Sequence, residues 1–276
     1  MLGKSMTACC GVLVIASLTS AQTPRFRWQT GQVLLYRTEH NTVASFVMGD
    51  STSETKTRVQ SIKRWQVMDV DSNGAATLQM SLQGLYFQTT PPSGAPLVFD
   101  SAHLDQSTPE LRKQYENYVG QPLVVLRIDG QGKVLEVKEA RPDYSAAKYE
   151  CDPAFKLVLP TEVLKGGLNW QRDYQIVLGP PYGTGDEKYT AVQHYVCKDV
   201  AGNLATVSLS TEMKNAPAAQ EDQVPLWQMQ PEGELVFDLV AGRLQKASLR
   251  IDKEAKIEGG NTHFQSVYTE EYVGDR

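Results

Sequence analysis

Alternation of apolar and polar residues is the dominant pattern of this chain, and it is clearest between residues 65 and 82. In WQVMDVDSNGAATLQMSL, apolar residues recur at every second position on both sides of the turn Asn73-Gly74. Because successive side chains of a strand point to opposite faces, this stretch predicts an antiparallel hairpin with one buried face. We expect Leu78 and Met80 to face the core. Gly84 shifts the phase of the alternation and predicts a bulge.

A second stretch, HYVCKDVAGNLATVSLS at residues 194–210, has the same build. Both stretches carry Asp-Val before the turn, and Ala-Thr followed by an apolar residue after it. The repetition predicts two similar tandem halves whose hairpins superpose, with Val207 and Leu209 facing the core. The alternative is that any two β-hairpins share this much. Further matches in the same order pair Trp28 with Trp170, and Gly132 with Gly242.

The chain divides on this basis into two β-rich halves and a connector. The first half covers residues 22–138, the connector 139–168 and the second half 169–276. Proline-containing steps keep the connector's elements short, and short helices are predicted across Ser145–Glu150 and Glu162–Lys165. The resulting fold class is mainly β, a β-rich α+β protein with antiparallel sheet or sheets in two similar tandem halves.

Residues 108–119 depart from the alternation and predict the clearest helix. Ser107 and Glu110 have the spacing of a capping box, and Pro109 suits the first turn. Gly120 ends the run. A core-facing stripe at helical spacing comprises Leu111, Tyr115, Tyr118 and Val119.

The N-terminal residues 1–21 have the pattern of a signal peptide. Lys4 supplies a positive charge, the largely apolar run Met6–Leu18 follows, and Thr19-Ser20-Ala21 ends with small residues. We expect cleavage between Ala21 and Gln22, and export to the periplasm or the extracellular space. The alternative is a membrane anchor, but the run is shorter than the ~20 residues that a span requires. No later run has spanning length.

Charge and composition exclude one class of partner. Lys4 is the only charged residue among the first 21, so the rest carries 26 Lys and Arg against 32 Asp and Glu, a net charge of −6. Nucleic-acid binding depends on clustered basic residues, and no basic run is longer than Lys63-Arg64. We therefore expect no nucleic-acid partner.

Two cysteines remain after removal of the signal peptide, Cys151 and Cys197. An even pair in an oxidising compartment predicts one disulfide between them. The alternative is two separate buried thiols. A metal site is not expected, because the sequence has no CxxC motif and no nearby pairing of His with Cys.

The segment Asp69–Gly74 has the form D-x-D-x-N-G, which is the first half of a calcium-binding loop. The glutamate that such a loop needs at position twelve is replaced by Met80, and the flanking residues predict strands. Asn-Gly between alternating runs is also the strongest short-range indication of a hairpin. We therefore expect a plain turn and no metal.

The sequence contains no recognisable catalytic constellation. The histidines are scattered, no HExxH or G-x-S-x-G motif occurs, and the glycine-rich stretch 179–185 lacks the lysine and following helix of a phosphate loop. No catalytic residue, cofactor or metal is predicted. The four histidines are His40, His103, His194 and His263.

Several motifs resemble a family of secreted bacterial proteins of unknown function. They are Leu159-Pro160, Gly167 and Trp170, then a hairpin ending in Gly-Asn-Leu-Ala-Thr, and later FDLVAGRLQKASL. The first half resembles the family's opening pattern through Gly31 and Tyr36. The resemblance covers nearly the whole mature chain and implies export and a two-half, β-rich architecture. It implies no activity, since the family has none established.

These observations predict an exported, non-catalytic binding or envelope-associated module, with an unknown protein or an apolar ligand as its partner. One alternative is a carrier of an apolar ligand in a concave β-sheet, which requires a cavity of several hundred Å³. Another is a hydrolase whose site is assembled only in the fold. A partner-binding module predicts an exposed apolar patch, which we place near Trp227 and Met229 in an exposed loop over 214–231.

Overall fold

A computed structural model describes residues 23–141, 157–178 and 188–275. The strands within this part of the chain form one antiparallel sheet, which confirms the predicted mainly β fold class. In these described ranges, two short helices and three 3-10 turns accompany the sheet. The strands are β1 (Val33–Met48), β2 (Ser51–Val70), β3 (Ala76–Thr90), β4 (Leu97–Asp100), β5 (Pro122–Ile128), β6 (Val134–Ala140), β7 (Asn169–Val177), β8 (Lys188–Ala201), β9 (Leu204–Met213), β10 (Glu232–Asp238), β11 (Arg243–Ile257) and β12 (Gly260–Asp275). The helices are α1 (Pro109–Tyr115) and α2 (Gln220–Gln223), and the 3-10 turns are Leu104–Gln106, Glu116–Tyr118 and Val224–Met229.

The strands follow the order β6-β5-β3-β2-β1-β12-β11-β10-β9-β8-β7, and β4 pairs with β3 at the side. Strands β6 and β7 are therefore the two ends of the path. Each half is an antiparallel meander, and β12 joins the halves by pairing with β1 along nearly its whole length. Short turns link six of the neighbouring pairs in the described residues, namely β1–β2, β2–β3, β5–β6, β8–β9, β10–β11 and β11–β12, as antiparallel pairing allows.

The two predicted hairpins have the same register. In β2–β3, Asp69 pairs with Thr77, and in β8–β9, Asp199 pairs with Thr206. Each first strand carries one extra residue immediately before its aspartate, Met68 in one hairpin and Lys198 in the other. A bulge at the same place in both hairpins confirms that they are built alike.

The entry into each half is also alike, and it corrects one predicted match. Gly31 donates its N–H to the carbonyl of Val67 at 2.8 Å, and Gly167 donates to the carbonyl of Cys197 at 2.8 Å. Both glycines have positive φ, at 84° and 86°. The equivalent residues are therefore Gly31 and Gly167. The pairing of Trp28 with Trp170 is wrong, since one tryptophan precedes its glycine and the other follows it.

A single core cluster draws on both halves and on the segments that lead into them. The predicted inward residues Leu78, Met80, Val207 and Leu209 are all buried, and we call their side of the sheet the inner face. Phe26 and Leu157 belong to the same cluster. The N-terminal segment and the connector thus fill the space between the halves.

Two turns hold these leading segments. Arg27 donates its N–H to the carbonyl of Gly242 in the β10–β11 turn at 2.9 Å. Leu159 donates to the carbonyl of Gln131 in the β5–β6 turn at 2.8 Å. The segment before each half therefore docks on a turn of the other half, and the two halves interlock.

The predicted helix at 108–119 is shorter, and its cap is different. Helix α1 ends at Tyr115 and continues as a 3-10 turn, while Thr108 precedes it without a side-chain cap. Ser107 accepts a hydrogen bond from the N–H of Asp100, and Thr108 accepts one from Val98. Both hydroxyls satisfy the exposed edge of β4, so they do not cap the helix.

Other local predictions have mixed outcomes. The bulge at Gly84 is confirmed by a register shift between β2 and β3. The helix expected across Glu162–Lys165 is wrong, since this segment is a bend followed by irregular chain. The helix expected across Ser145–Glu150 lies outside the described residues.

An insertion interrupts each meander at the equivalent place, between β3 and β5 in the first half and between β9 and β10 in the second. The first contains α1 and buries Leu111 against Leu85 and Phe99. The second contains α2 and buries Leu226 against Tyr174 and Ile176. Each insertion thereby adds a small satellite core next to the main one.

Candidate functional site: the seam between the edge strands

The two edge strands of the sheet meet across a cavity of about 490 Å³, which we call the seam cavity. Since β6 and β7 are the opposite ends of the strand order, their meeting means that the sheet curls back on itself. The first half, the connector and the second half all contribute to its walls. The lining residues are Lys133, Val134, Val158, Arg172, Asp173, Tyr174 and Gln175.

Arg172 contacts a buried pair of polar side chains behind the lining. Its Nε donates to Oε1 of Gln193 at 2.6 Å, and the hydroxyl of Tyr195 donates to the same oxygen at 2.9 Å. Gln193 is only 1% exposed, and burial raises the pKa of the Tyr195 phenol. A buried amide that is paired in this way fixes the direction of the guanidinium.

Charged side chains of both signs line the cavity. Asp173 lies in the lining, but its Oδ2 pairs with Nζ of Lys214 at 2.5 Å. Among the described residues, the lining also contains the positively charged side chains of Lys133 and Arg172.

The remaining lining is apolar or aromatic. Tyr174 places its ring against the guanidinium of Arg172, 5.6 Å from the ring centroid, and donates its hydroxyl to the carbonyl of Met229 at 2.7 Å. The backbone of Val158 is held by a hydrogen bond, because Nε1 of Trp170 donates to its carbonyl at 2.6 Å. Together with Val134, these residues give the cavity one apolar side.

A second polar cluster lies on the inner face of the central strands. Nζ of Lys63 donates to the hydroxyl of Tyr268 at 3.2 Å, and that hydroxyl donates to Oε2 of Glu270 at 3.0 Å. Lys63 and Glu270 also form an ion pair at 3.6 Å. Glu270 is fully buried and the Lys63 side chain is 11% exposed, so this pair belongs to the packed interior.

A shallow depression of about 360 Å³ lies where β3 changes partner from β4 to β5. Its lining combines charged, amide and aromatic side chains around Gly84. Asp100 in this lining already pairs with His103, and Tyr86 already donates to Gln88. These groups satisfy one another, so the depression is a weaker candidate than the seam cavity.

The predicted disulfide residues are only partly described. Cys197 is a buried thiol, 3.7 Å from the carbonyl oxygen of Asp199, and burial raises its pKa. Cys151 lies outside the described residues, so the disulfide stays a prediction. The predicted cleavage site at Ala21 and Gln22 lies outside them as well.

The calcium-like segment forms the expected turn. Oδ1 of Asp71 accepts hydrogen bonds from the N–H groups of Ala75 at 3.0 Å and Asn73 at 2.8 Å. Its Oδ2 pairs with Arg127. These bonds, that from Ala75 above all, hold the pKa of the Asp71 carboxyl below its usual range. Within the described ranges, no group of three or more acidic, His or Cys side chains could hold a metal ion.

Three of the histidines pair with carboxylates at exposed or half-buried positions. The distances are 2.9 Å for His103 and Asp100, 2.7 Å for His263 and Asp252, and 3.6 Å for His194 and Glu212. The fourth, His40, contacts the hydroxyl of Ser266 at 2.7 Å. None of the four lines the seam cavity.

The apolar patch expected near Trp227 and Met229 is wrong. Trp227 is 5% exposed, and Met229 packs against the satellite core around Leu226. The stretch 214–231 is not an exposed loop throughout, because α2 and the following 3-10 turn bury Leu226 and Trp227.

Sequence reasoning missed Lys133 and Arg172. One indication was available for Arg172, which shares the inward phase of β7 with Trp170 and Tyr174. A charged residue at an apolar position of a strand indicates a buried partner or a site. Lys133 lies in a turn and gives no such indication.

In the part of the chain that the structure describes, no helix is long and apolar enough to cross a membrane. No family model matches the sequence, and no curated protein matches it. Similar proteins are found among the solved structures.

Lipovitellin, whose structure was described for its lipid–protein interactions, aligns with a TM-score of 0.50 and 13% identity. The alignment covers 91% of this chain but 26% of the lipovitellin chain, so this protein spans about a quarter of that relative. A likeness at this identity shows a shared fold alone.

Two further structures align at lower scores. A DUF1329 family protein from Desulfovibrio piger has a TM-score of 0.14 and 13% identity, over 90% of this chain and 86% of that chain. The COG4313 outer membrane channel from Pseudomonas putida F1 has a TM-score of 0.29 and 8% identity, over 93% and 100%. At these scores neither supports an argument about this chain.

Proposed function

We propose that the protein is an exported, non-catalytic binding protein that holds a small ligand in the seam cavity. The observation that carries the proposal is a cavity of about 490 Å³ whose walls come from both halves and from the connector. Ligand sites prefer such junctions, and this volume is in their usual range. Export rests on the N-terminal pattern of residues 1–21.

The carrier alternative places an apolar ligand on the concave inner face. Among the described residues, Phe26, Leu157 and Leu159 already pack there as part of the chain's own core. The seam is therefore the better place for a ligand. The fold shared with lipovitellin, a protein described for its lipid–protein interactions, agrees with a ligand that is partly apolar.

The hydrolase alternative has less support. The exposed pairs of histidine and carboxylate belong to separate strand edges and turns, and they do not line the seam cavity. Orientation of a single arginine by a buried amide fits recognition of a ligand rather than transfer of a proton.

Native mass spectrometry of the protein purified from the periplasm tests the proposal. We expect a co-purified small molecule on the wild type and its loss from Gln175→Trp, since the larger ring occupies the cavity from an exposed position. Gln171→Trp is the matched control, because Gln171 is exposed on the same strand but outside the lining. Equal ligand on all three proteins, or none on the wild type, would contradict the proposal.

A further inference from the structure

We infer that the shallow depression around Gly84 binds a neutral sugar, a single hexose ring with its hydroxyl groups. This inference goes beyond the proposed function, because the residues described for the depression and for the seam cavity do not overlap. Failure of either proposal would therefore leave the other standing. The volume of about 360 Å³ lies at the lower end of the usual range for ligand sites, which suits a ligand of one ring.

Gly84 is a glycine that its backbone conformation does not require. It is not among the glycines with positive φ, so it does not occupy the left-handed region that favours glycine. A Cβ built there would contact the Oγ of Ser101 at 3.9 Å among the described residues, which is an ordinary distance. A glycine inside a strand weakens that strand, and it often marks the close approach of a ligand. The absent side chain leaves open space in the depression.

The bulge beside Gly84 does not require the glycine either. Ile62 pairs with Gly84. The next pair of the register is Lys63 with Leu82, so the inserted residue is Gln83. The type of bulge that needs a glycine holds it in the left-handed region, where Gly84 does not lie.

One aromatic ring and one aliphatic side chain give the depression an apolar part. Ile62 lies directly opposite Gly84, and Tyr86 is the next residue of β3 on the same face. The hydroxyl of Tyr86 donates to Oε1 of Gln88 at 2.7 Å, which restrains the ring. The C–H groups on one side of a hexose can pack on the negative face of such a ring, while the hydroxyls project from its rim.

Polar side chains of the lining form one row with Tyr86. In the register, Glu39 pairs with Gln60, Gln60 with Tyr86, and Tyr86 with Asp100. Side chains of directly paired residues lie on the same face, so this row crosses β1, β2, β3 and β4. The amide of Gln60 donates and accepts hydrogen bonds, whereas the carboxylates only accept. Each sugar hydroxyl is both a donor and an acceptor, so it can bind to either kind of group.

The two carboxylates of this row favour a neutral ligand, because each already has a basic partner. Asp100 accepts a hydrogen bond from Nδ1 of His103 at 2.9 Å, and this bond above all holds the pKa of the Asp100 carboxyl below its usual range. Glu39 pairs with Arg58 at 3.3 Å. A hydrogen bond from Asn41 is the main cause that holds the pKa of the Glu39 carboxyl below its usual range. An ionised carboxylate has about four lone-pair positions, so both groups can still accept from hydroxyls.

NMR titration of the 15N-labelled protein with neutral sugars tests this inference. The probes are the methyl glycosides of glucose, galactose, mannose and N-acetylglucosamine. We expect at least one of them to shift the amide signals of Gly84 and Tyr86, with a Kd of about 1 mM because a shallow site covers one side of the ring. Cyclohexanol, a ring of similar size with a single hydroxyl, should bind at least about tenfold more weakly.

Two substitutions separate the site from the fold. Gly84→Val should abolish binding, because its side chain occupies the depression, and should not lower the urea midpoint, because valine suits a strand better than glycine. Thr90→Val is the matched control, which places the same side chain on the same face of β3 outside the lining. Tyr86→Leu should weaken binding by about tenfold, whereas Tyr86→Phe keeps the ring and should change it by less than about threefold.

Four results would each overturn the inference. They are no binding of any of the methyl glycosides, cyclohexanol binding as tightly as the best of them, unchanged binding in Gly84→Val, and unchanged binding in Tyr86→Leu. Loss of binding in Thr90→Val to the same extent as in Gly84→Val would also contradict it. A urea midpoint of Gly84→Val well below that of the wild type would show that the fold itself requires this glycine, which contradicts the argument from its missing side chain.

Discussion

Gly132 lies where the N-terminal segment and the connector pass each other. Its φ is 90°, and a Cβ built there would lie 2.4 Å from the Phe26 ring and 2.7 Å from the carbonyl oxygen of Leu157. Gly242 has the corresponding role beside Arg27, where a Cβ would lie 2.4 Å from the side chain. The predicted match of these two glycines thus has a physical basis, because both turns must admit a leading segment at close range.

We therefore expect Gly132→Ala to lower the free energy of unfolding by more than a Gly→Ala substitution normally does at a position with positive φ. Gly202→Ala is the matched control, since Gly202 has a φ of 60° and nothing within 4 Å of its Cβ position. We expect the control to lose about 1 kcal/mol and Gly132→Ala about 3 kcal/mol or more, measured by urea denaturation. Equal losses would mean that the segments do not cross closely at Gly132.

His103 provides a prediction of pH dependence. The hydrogen bond to the Asp100 carboxylate, and next its negative charge, raise the pKa of His103 above its ordinary 6.5. Because the pKa of His103 is higher in the folded than in the unfolded protein, the pair with Asp100 stabilises the folded state fully at pH values below 6.5. This contribution is lost as the pH rises through the folded pKa. Titration by NMR should give a value above 6.5 in the wild type and a return toward 6.5 in Asp100→Asn. A His103 pKa that does not change with Asp100→Asn would contradict the assignment.

At the scale of elements, sequence patterns predicted correctly those features that depend on neighbouring residues alone. Alternation around Asn73-Gly74 and across Ala-Thr-Val gave both hairpins and their inward residues, because side-chain direction in a strand depends on position alone. The helix cap at Ser107 failed for a reason that is not local. The Ser107 hydroxyl accepts a hydrogen bond from a backbone N–H of β4 instead, and the residues around Ser107 do not indicate that β4 lies beside it.

The inward folding of 214–231 was missed for a related reason. The stretch is largely polar with three prolines, and its apolar residues have no clear period in the sequence. They are buried only because the satellite core beside β7 and β8 gives them a surface to pack on. The seam cavity was missed because Lys133 and Arg172 lie in different halves. Only the order of strands, which no local pattern encodes, brings β6 and β7 together.

Trp227→Ala separates the observed role of this segment from the exposed patch that we first expected. Trp227 is 5% exposed, so its truncation should cost about 3–5 kcal/mol in free energy of unfolding. Val240→Ala, at a position that is 59% exposed, should change stability by less than about 0.5 kcal/mol. A small loss for Trp227→Ala in urea denaturation would restore the interpretation as a surface patch.

At the scale of the whole molecule, the contacts that interlock the two halves also explain where the seam cavity lies. The segment that precedes each half binds to a turn of the other half. These contacts bring the two ends of the twelve-stranded sheet close together. In the described part of the chain β6 and β7 do not pair with each other, and the gap between them is the seam cavity. A ligand bound in this gap would cover part of both edge strands.

Hydrogen exchange measured by mass spectrometry, on protein isolated from the periplasm and on the same protein refolded without ligand, tests the central claim most directly. A ligand in the seam should slow exchange in both β6 and β7 of the isolated protein, by about tenfold or more. The tip of the β1–β2 hairpin, which is exposed and remote from the seam in strand order, should exchange equally in the two preparations. Equal exchange at both edges, or slowing confined to other strands, would contradict binding at the seam.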